Sequence, residues 1–137
     1  MKKNLLMKRF KNRQIDILID ADGSIFTHEY PLIGRDIGAQ SVLKELVQKG
    51  HRLIIFTMRD GKELLDVIYW YKKNNIPLFG IQTNPDQKLW TTSPKAYGQY
   101  IIDDIGAFMP LKTDEPDDKP FIDWIKMRRE LVKVGLL

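Results

Sequence analysis

Four aspartates carry the chemistry that this sequence can be read for. Asp20 and Asp22 stand in the run Asp20-Ala21-Asp22-Gly23-Ser24, and Asp103 and Asp104 form a pair. Each group directly follows a short apolar run, IDILI at 15–19 and YII at 100–102, and a third run, LIIF at 53–56, ends in Thr57. If these runs are parallel strands, their C-terminal ends emerge on one edge of a sheet, which is where open α/β sheets bind ligands. Carboxylates gathered there raise one another's pKa unless a cation lies among them. The expected occupant is a hard divalent ion with oxygen ligands. Mg2+ suits the place because it takes a few carboxylates while keeping waters and substrate phosphate oxygens. The chain has no cysteine, which excludes a thiol nucleophile, an iron-sulfur cluster, a cysteine zinc site and a disulfide scaffold.

The elements that must position these residues follow from periodicity. The apolar runs read as buried strands at 15–19, 53–56, 78–82 and 100–102. None alternates with polar residues, as burial under helices on both faces requires. Between them, Val42, Leu43, Leu46 and Val47 in 36–50, and Leu64, Leu65, Ile68 and Tyr71 in 62–74, recur at helical spacing. Phe121 to Val134 reads as an amphipathic closing helix, and MPLKTDEPDDK at 109–119 as a loop rich in proline and acid. Strands alternating with helices imply βαβ units and a mostly parallel sheet of four or five strands in a three-layer α/β sandwich. Trp70, Trp90 and Trp124 read as packing residues rather than a base-stacking platform.

The DADGS run after a buried strand resembles the first motif, DxDG[ST], of the haloacid dehalogenase superfamily, in which Mg2+-dependent phosphatases working through an aspartyl-phosphate dominate. LIIFT at 53–57 is similar to the second motif, Lys95 to the third and IIDD at 101–104 to the fourth, in the expected order. The resemblance covers about residues 15 to 105. It implies a Rossmann-like fold with Asp20 as nucleophile, and Asp22 as general acid and base whose backbone carbonyl also binds Mg2+. Asp104 would be a direct metal ligand and Asp103 an outer partner, an order that the sequence leaves open. Thr57 would hold a phosphoryl oxygen through its hydroxyl and backbone N–H, and Lys95, or the nearby Lys88, would neutralise charge. Gly23 would turn the loop and bring backbone N–H groups toward the phosphate. Ser24, Arg59 and His28 are the further candidates for binding substrate. Only 32 residues separate Ser24 from Thr57 and 37 separate Thr57 from Lys95, too few for the cap domain that most members carry. The resemblance is to the small capless branch, whose open sites suit large or extended phosphorylated substrates or are closed by a neighbouring subunit.

Length and composition agree with one domain: 137 residues, 43% hydrophobic and 29% charged. The net charge is +4, but six of the 22 basic residues precede the first acid, Asp16, leaving 16 basic against 18 acidic residues in the remainder. Residues 1–14 are therefore expected to be a solvated basic tail and 15–137 the phosphatase domain without a cap. Nucleic acid is the less favoured partner, since no aromatic residues interleave the basic ones. No run approaches a membrane span and no secretory core follows the first charges, so a cytoplasmic location is expected. The expected function is Mg2+-dependent hydrolysis of a phosphomonoester through Asp20. The alternatives are a nucleotidase or nucleic-acid end phosphatase, or, outside enzymes, a receiver-like or phosphate-binding regulatory domain.

Overall fold

The computed structural model describes residues 8–137. Its main sheet has four strands, β1 (Asp16–Ile19), β2 (Arg52–Ile55), β3 (Gly80–Ile81) and β4 (Tyr100–Ile102), in the order β3-β2-β1-β4 with every pair parallel. This is a Rossmann-like α/β fold with β1 in the middle, and β1 is buried along its whole length. Side chains alternate across a strand. Ile17 and Ile19 of β1 and Leu53 and Ile55 of β2 join the larger core with helices α1 (Ala39–Gln48), α2 (Gly61–Lys73) and α3 (Trp124–Lys133). Leu18 and Ile54 face the other way, into a smaller cluster with Ala96 and Phe79. The layer on that side is thin: the segment 82–99 supplies it, with one short 3-10 turn at Gln87–Leu89.

The third strand is shorter than the apolar run 78–82 suggests. Two elements are not legible in the sequence at all. Within the expected acidic loop, β5 (Leu111–Lys112) pairs antiparallel with β6 (Phe121–Ile122), so the closing helix begins only at Trp124. Asp123 caps that helix by accepting from the Ile125 and Lys126 amides. Among the described residues no helix is long and apolar enough to cross a membrane.

Of the solvated tail expected over 1–14, residues 1–7 lie outside the described part, and in 8–14 every residue is exposed except Phe10, which anchors the segment. Phe10 is buried, stacks edge-on against Tyr100 at 5.8 Å between ring centroids, and donates its amide to the Val134 carbonyl at 3.0 Å. Gly135, at a positive φ of 89°, allows the Lys11 backbone to pass where a Cβ would collide with it. One aromatic ring thus outweighs the surrounding lysines and pins the segment to the end of α3. Phe10→Ala is expected to lower unfolding free energy by about 3–5 kcal/mol, measured by urea denaturation; a change near zero would return the segment to solvent.

Candidate functional site

Parallel register builds the site. Ile19 lies opposite Ile102, so the next residues, Asp20 and Asp103, leave β1 and β4 side by side. The ladder continues one step further, from the Asp20 amide to the Ile102 carbonyl at 3.0 Å. As a result, one carboxylate oxygen from each of Asp20, Asp103 and Asp104 lies within 4.8 Å of the others. Ser24, fully buried, ties the group together: its hydroxyl donates to Asp20 Oδ2 at 2.8 Å and accepts from the Asp104 amide at 3.0 Å. It is thus a brace within the acidic group rather than the substrate contact expected of it. His28 Nε2 stands 3.0 Å from Asp104 Oδ2, at the rim of the same group. Gly23 lies beneath them at φ 78°, and a Cβ there would collide with both the His28 ring and the Asp104 carboxylate. Only glycine meets both demands.

The electrostatics match the crowding. Burial, then the charge of Asp103 and the contact with Asp104, push Asp20 up to about 8, against the opposing pull of the Ser24 hydroxyl and the Ala21 backbone. Burial also raises Asp103, helped by Asp104 and opposed by the Ile105 amide. Three carboxylates with hard oxygen donors, two of them pushed up by burial and by their neighbours, fit a divalent cation of the Mg2+ type.

Asp22 is elsewhere engaged. Arg59 is 2% exposed and sends Nε and Nη2 to the two Asp22 carboxylate oxygens, both at 2.8 Å. Its other N–H groups reach the carbonyls of Leu32 at 2.6 Å, Pro31 at 3.2 Å and Glu63 at 3.4 Å. All five guanidinium donors are spent inside the protein. The expectation that Arg59 contacts substrate is therefore corrected: it clamps the loop after β1 to the start of α2. Asp22, expected to act as general acid and base, therefore has both carboxylate oxygens engaged by one guanidinium.

Thr57 follows β2 on the same edge, half-buried. Its amide donates to Gln82 Oε1 at 2.8 Å and its carbonyl accepts from Gln82 Nε2 at 2.6 Å. The backbone N–H expected to hold a phosphoryl oxygen is thereby taken. The Thr57 hydroxyl accepts from the Arg59 amide at 3.1 Å, and its own proton has no acceptor among the described residues. Asp60, not Thr57, occupies the N-cap position of α2. Gln82 adopts φ 64° to make this clamp. A glutamine in a left-handed conformation carries no sequence marker.

Lys95 makes no ion pair with the acidic group among the described residues. Its segment is fastened to the opposite edge: Asn84 Nδ2 reaches both the Asp16 carboxylate at 2.8 Å and the Tyr97 carbonyl at 3.1 Å, and the Gln99 amide reaches the Asp16 carbonyl at 2.9 Å. The Lys95 side chain is exposed and makes no ion pair among the described residues. Lys88 is likewise exposed, in the 3-10 turn of the same segment. The C-terminal segment, by contrast, supports the site although the motifs stop before it. The Ile122 amide donates to the Gly23 carbonyl at 2.9 Å, and Trp124 Nε1 donates to the Ser24 carbonyl at 2.8 Å.

A solved structure from Bacteroides thetaiotaomicron, of a conserved protein coded by a locus of that organism, is similar to this chain, with 29% sequence identity and a TM-score of 0.69. The similarity covers 88% of this chain and 91% of that one. No family model and no curated protein matches the sequence.

Proposed function

We propose that the protein is a divalent-cation-dependent phosphomonoester hydrolase in which Asp20 is the nucleophile. What carries the reading is the convergence of Asp20, Asp103 and Asp104 at the ends of the two neighbouring parallel strands β1 and β4. Asp20, Asp103 and Asp104 would hold the cation, and Mg2+ so bound supplies charge neutralisation for a phosphate and for the carboxylates around it. The protein's part begins with Asp20. Without the cation its carboxyl is held up at about 8 and stays largely protonated at neutral pH; ionised, its oxygen attacks phosphorus, the bond from phosphorus to the ester oxygen breaks, and that oxygen leaves as the alcohol with a proton taken from water. A second water attacks the aspartyl-phosphate, breaks its bond to Asp20, gives back a proton to solvent and leaves free phosphate and the restored carboxylate. Ser24 keeps the attacking oxygen in place, and the Thr57 hydroxyl proton is available to a phosphoryl oxygen.

With no lysine ion-paired to the acidic group among the described residues, the cation is the main positive charge that the reaction has at hand, so dependence on it should be complete. The experiment is hydrolysis of an aryl phosphate with Mg2+, after exhaustive chelation, and with Mg2+ restored, together with mass spectrometry for phosphate on Asp20. Turnover is expected only with the metal; turnover that survives chelation would overturn the reading. The clamp on Asp22 favours a second reading, a regulatory protein that binds a cation and phosphate without turnover. Saturable Mg2+ binding with no hydrolysis of any ester in a phosphate-ester panel would select it.

A further inference from the structure

A groove of about 760 Å3 opens at the edge of the sheet opposite the acidic group. Gln14 and Arg13 lead into β1 there, and Gly50 and His51 lead into β2, whereas the aspartates follow the far ends of β1 and β4. Every charged side chain that lines the groove is cationic: Lys8, Lys11, Arg13, Lys49 and Lys133. Of these, only Lys133 makes an ion pair among the described residues, with Glu130 on its own helix. Five cationic side chains with no acidic side chain among the lining residues make a place that favours an anion.

The cations stand on a fixed frame. Three segments contribute them: the turn at 8–13 anchored by Phe10, the connection from α1 to β2, and the end of α3. His51, buried at their junction, accepts the Ile15 amide at Nδ1, 3.1 Å away, so its Nε2 carries the proton and donates to the Leu136 carbonyl at 2.8 Å. One ring thus stitches together the start of β1, the start of β2 and the C-terminal segment.

We infer that this groove binds the sugar-phosphate backbone of a single nucleic-acid strand, independently of the acidic group. A space of this volume framed by five cations from three segments suits successive phosphates rather than one. Its concave form and single exposed apolar wall residue, Val132, are unsuited to a bilayer surface, which calls for apolar side chains that insert. With no aromatic side chain lining it, the groove offers no stacking platform, so binding is driven by charge and indifferent to sequence.

The test is fluorescence anisotropy of the full chain with a labelled single-stranded 20-mer that lacks terminal phosphate, in chelator, so that activity at the acidic group has no bearing on the result. Five phosphate contacts predict a logarithmic salt slope of about −3.5, hence a loss of about 100-fold in affinity between about 50 and about 200 mM salt. Lys11→Gln with Lys49→Gln, both exposed, should reduce the slope by about 1.4 and leave the thermal melt unchanged. Lys72→Gln with Lys73→Gln, on α2, should bind as the unaltered protein does. No binding at about 50 mM salt, an unchanged slope in the groove variant, or an equal loss in the α2 variant would each overturn the proposal. Capture by phosphatidylserine vesicles, or by inorganic polyphosphate alone, with no retention of the oligonucleotide would do so too.

Discussion

Asp20→Asn is expected to abolish hydrolysis of an aryl phosphate, by about 10^4-fold or more, and at the same time to stabilise the metal-free protein at neutral pH. The two effects have one cause. The side chain that must be ionised to attack sits where burial and two neighbouring carboxylates oppose its ionisation, and its pKa is about 8 against an ordinary 3.8. Between those values the folded state holds a proton that the unfolded state has released, so unfolding free energy falls as pH rises, by about 1.4 kcal/mol per unit. Below the lower value both states are protonated, and above the upper one both have lost the proton. The metal-free protein should therefore lose several kcal/mol (an order-of-magnitude figure) between about pH 4 and about pH 8. Asparagine keeps the oxygen that accepts from Ser24 and removes the titration, so the Asp20→Asn variant should show a flatter profile. Excess Mg2+ should flatten the profile of the unaltered protein as well, since a cation favours the ionised form. Urea denaturation in chelator and in Mg2+, from pH 5 to pH 9, measures all three curves. Coincident pH profiles of the two proteins in chelator would show that Asp20 does not carry the strain assigned to it.

The acidic group is legible in the sequence because it depends on a local rule. A buried apolar strand that stops abruptly in aspartate places that aspartate at a sheet edge, and parallel pairing of β1 with β4 does the rest. Asp20 and Asp103 meet because Ile19 and Ile102 are in register. What local pattern does not show depends on partners far apart in the chain. Arg59 and Asp22 are 37 positions apart, and nothing in either local pattern marks them as a pair. Gln82 reaches Thr57 from a left-handed conformation that glycine or asparagine would have announced. Lys95 matches its motif by spacing, yet Asn84, Tyr97 and Gln99 fasten its segment to the start of β1, and spacing carries no information about such anchors. The charge of the segment at 8–14 reads as a tail, and a single buried phenylalanine overrides it. β5 and β6 are two residues each, too short for any period to show.

Arg59→Met is expected to destabilise the fold by about 3–5 kcal/mol, the loss measured when one partner of a buried ion pair is removed. The substitution keeps the unbranched stem but leaves the Asp22 carboxylate without its counter-charge and three backbone carbonyls without donors. Arg59→Lys should recover little, because a single ammonium cannot serve two carboxylate oxygens and three carbonyls in a planar fork. Combining Arg59→Met with Asp22→Asn should restore part of the loss, since no unpaired charge then remains, and a double-mutant cycle in urea gives the coupling directly. A cost below about 1 kcal/mol for Arg59→Met would mean the pair is no more than a surface bridge. The same pair decides what Asp22 contributes to turnover. If its carboxylate serves to hold Arg59, and through it the loop that carries Gly23 and Ser24, Asp22→Asn slows aryl and alkyl phosphates alike. A proton donor would instead be missed most by the alkyl ester, whose leaving group needs protonation. Equal losses on the two esters would make the clamp the function of Asp22; a loss confined to the alkyl ester would mean that Arg59 releases Asp22 when substrate binds.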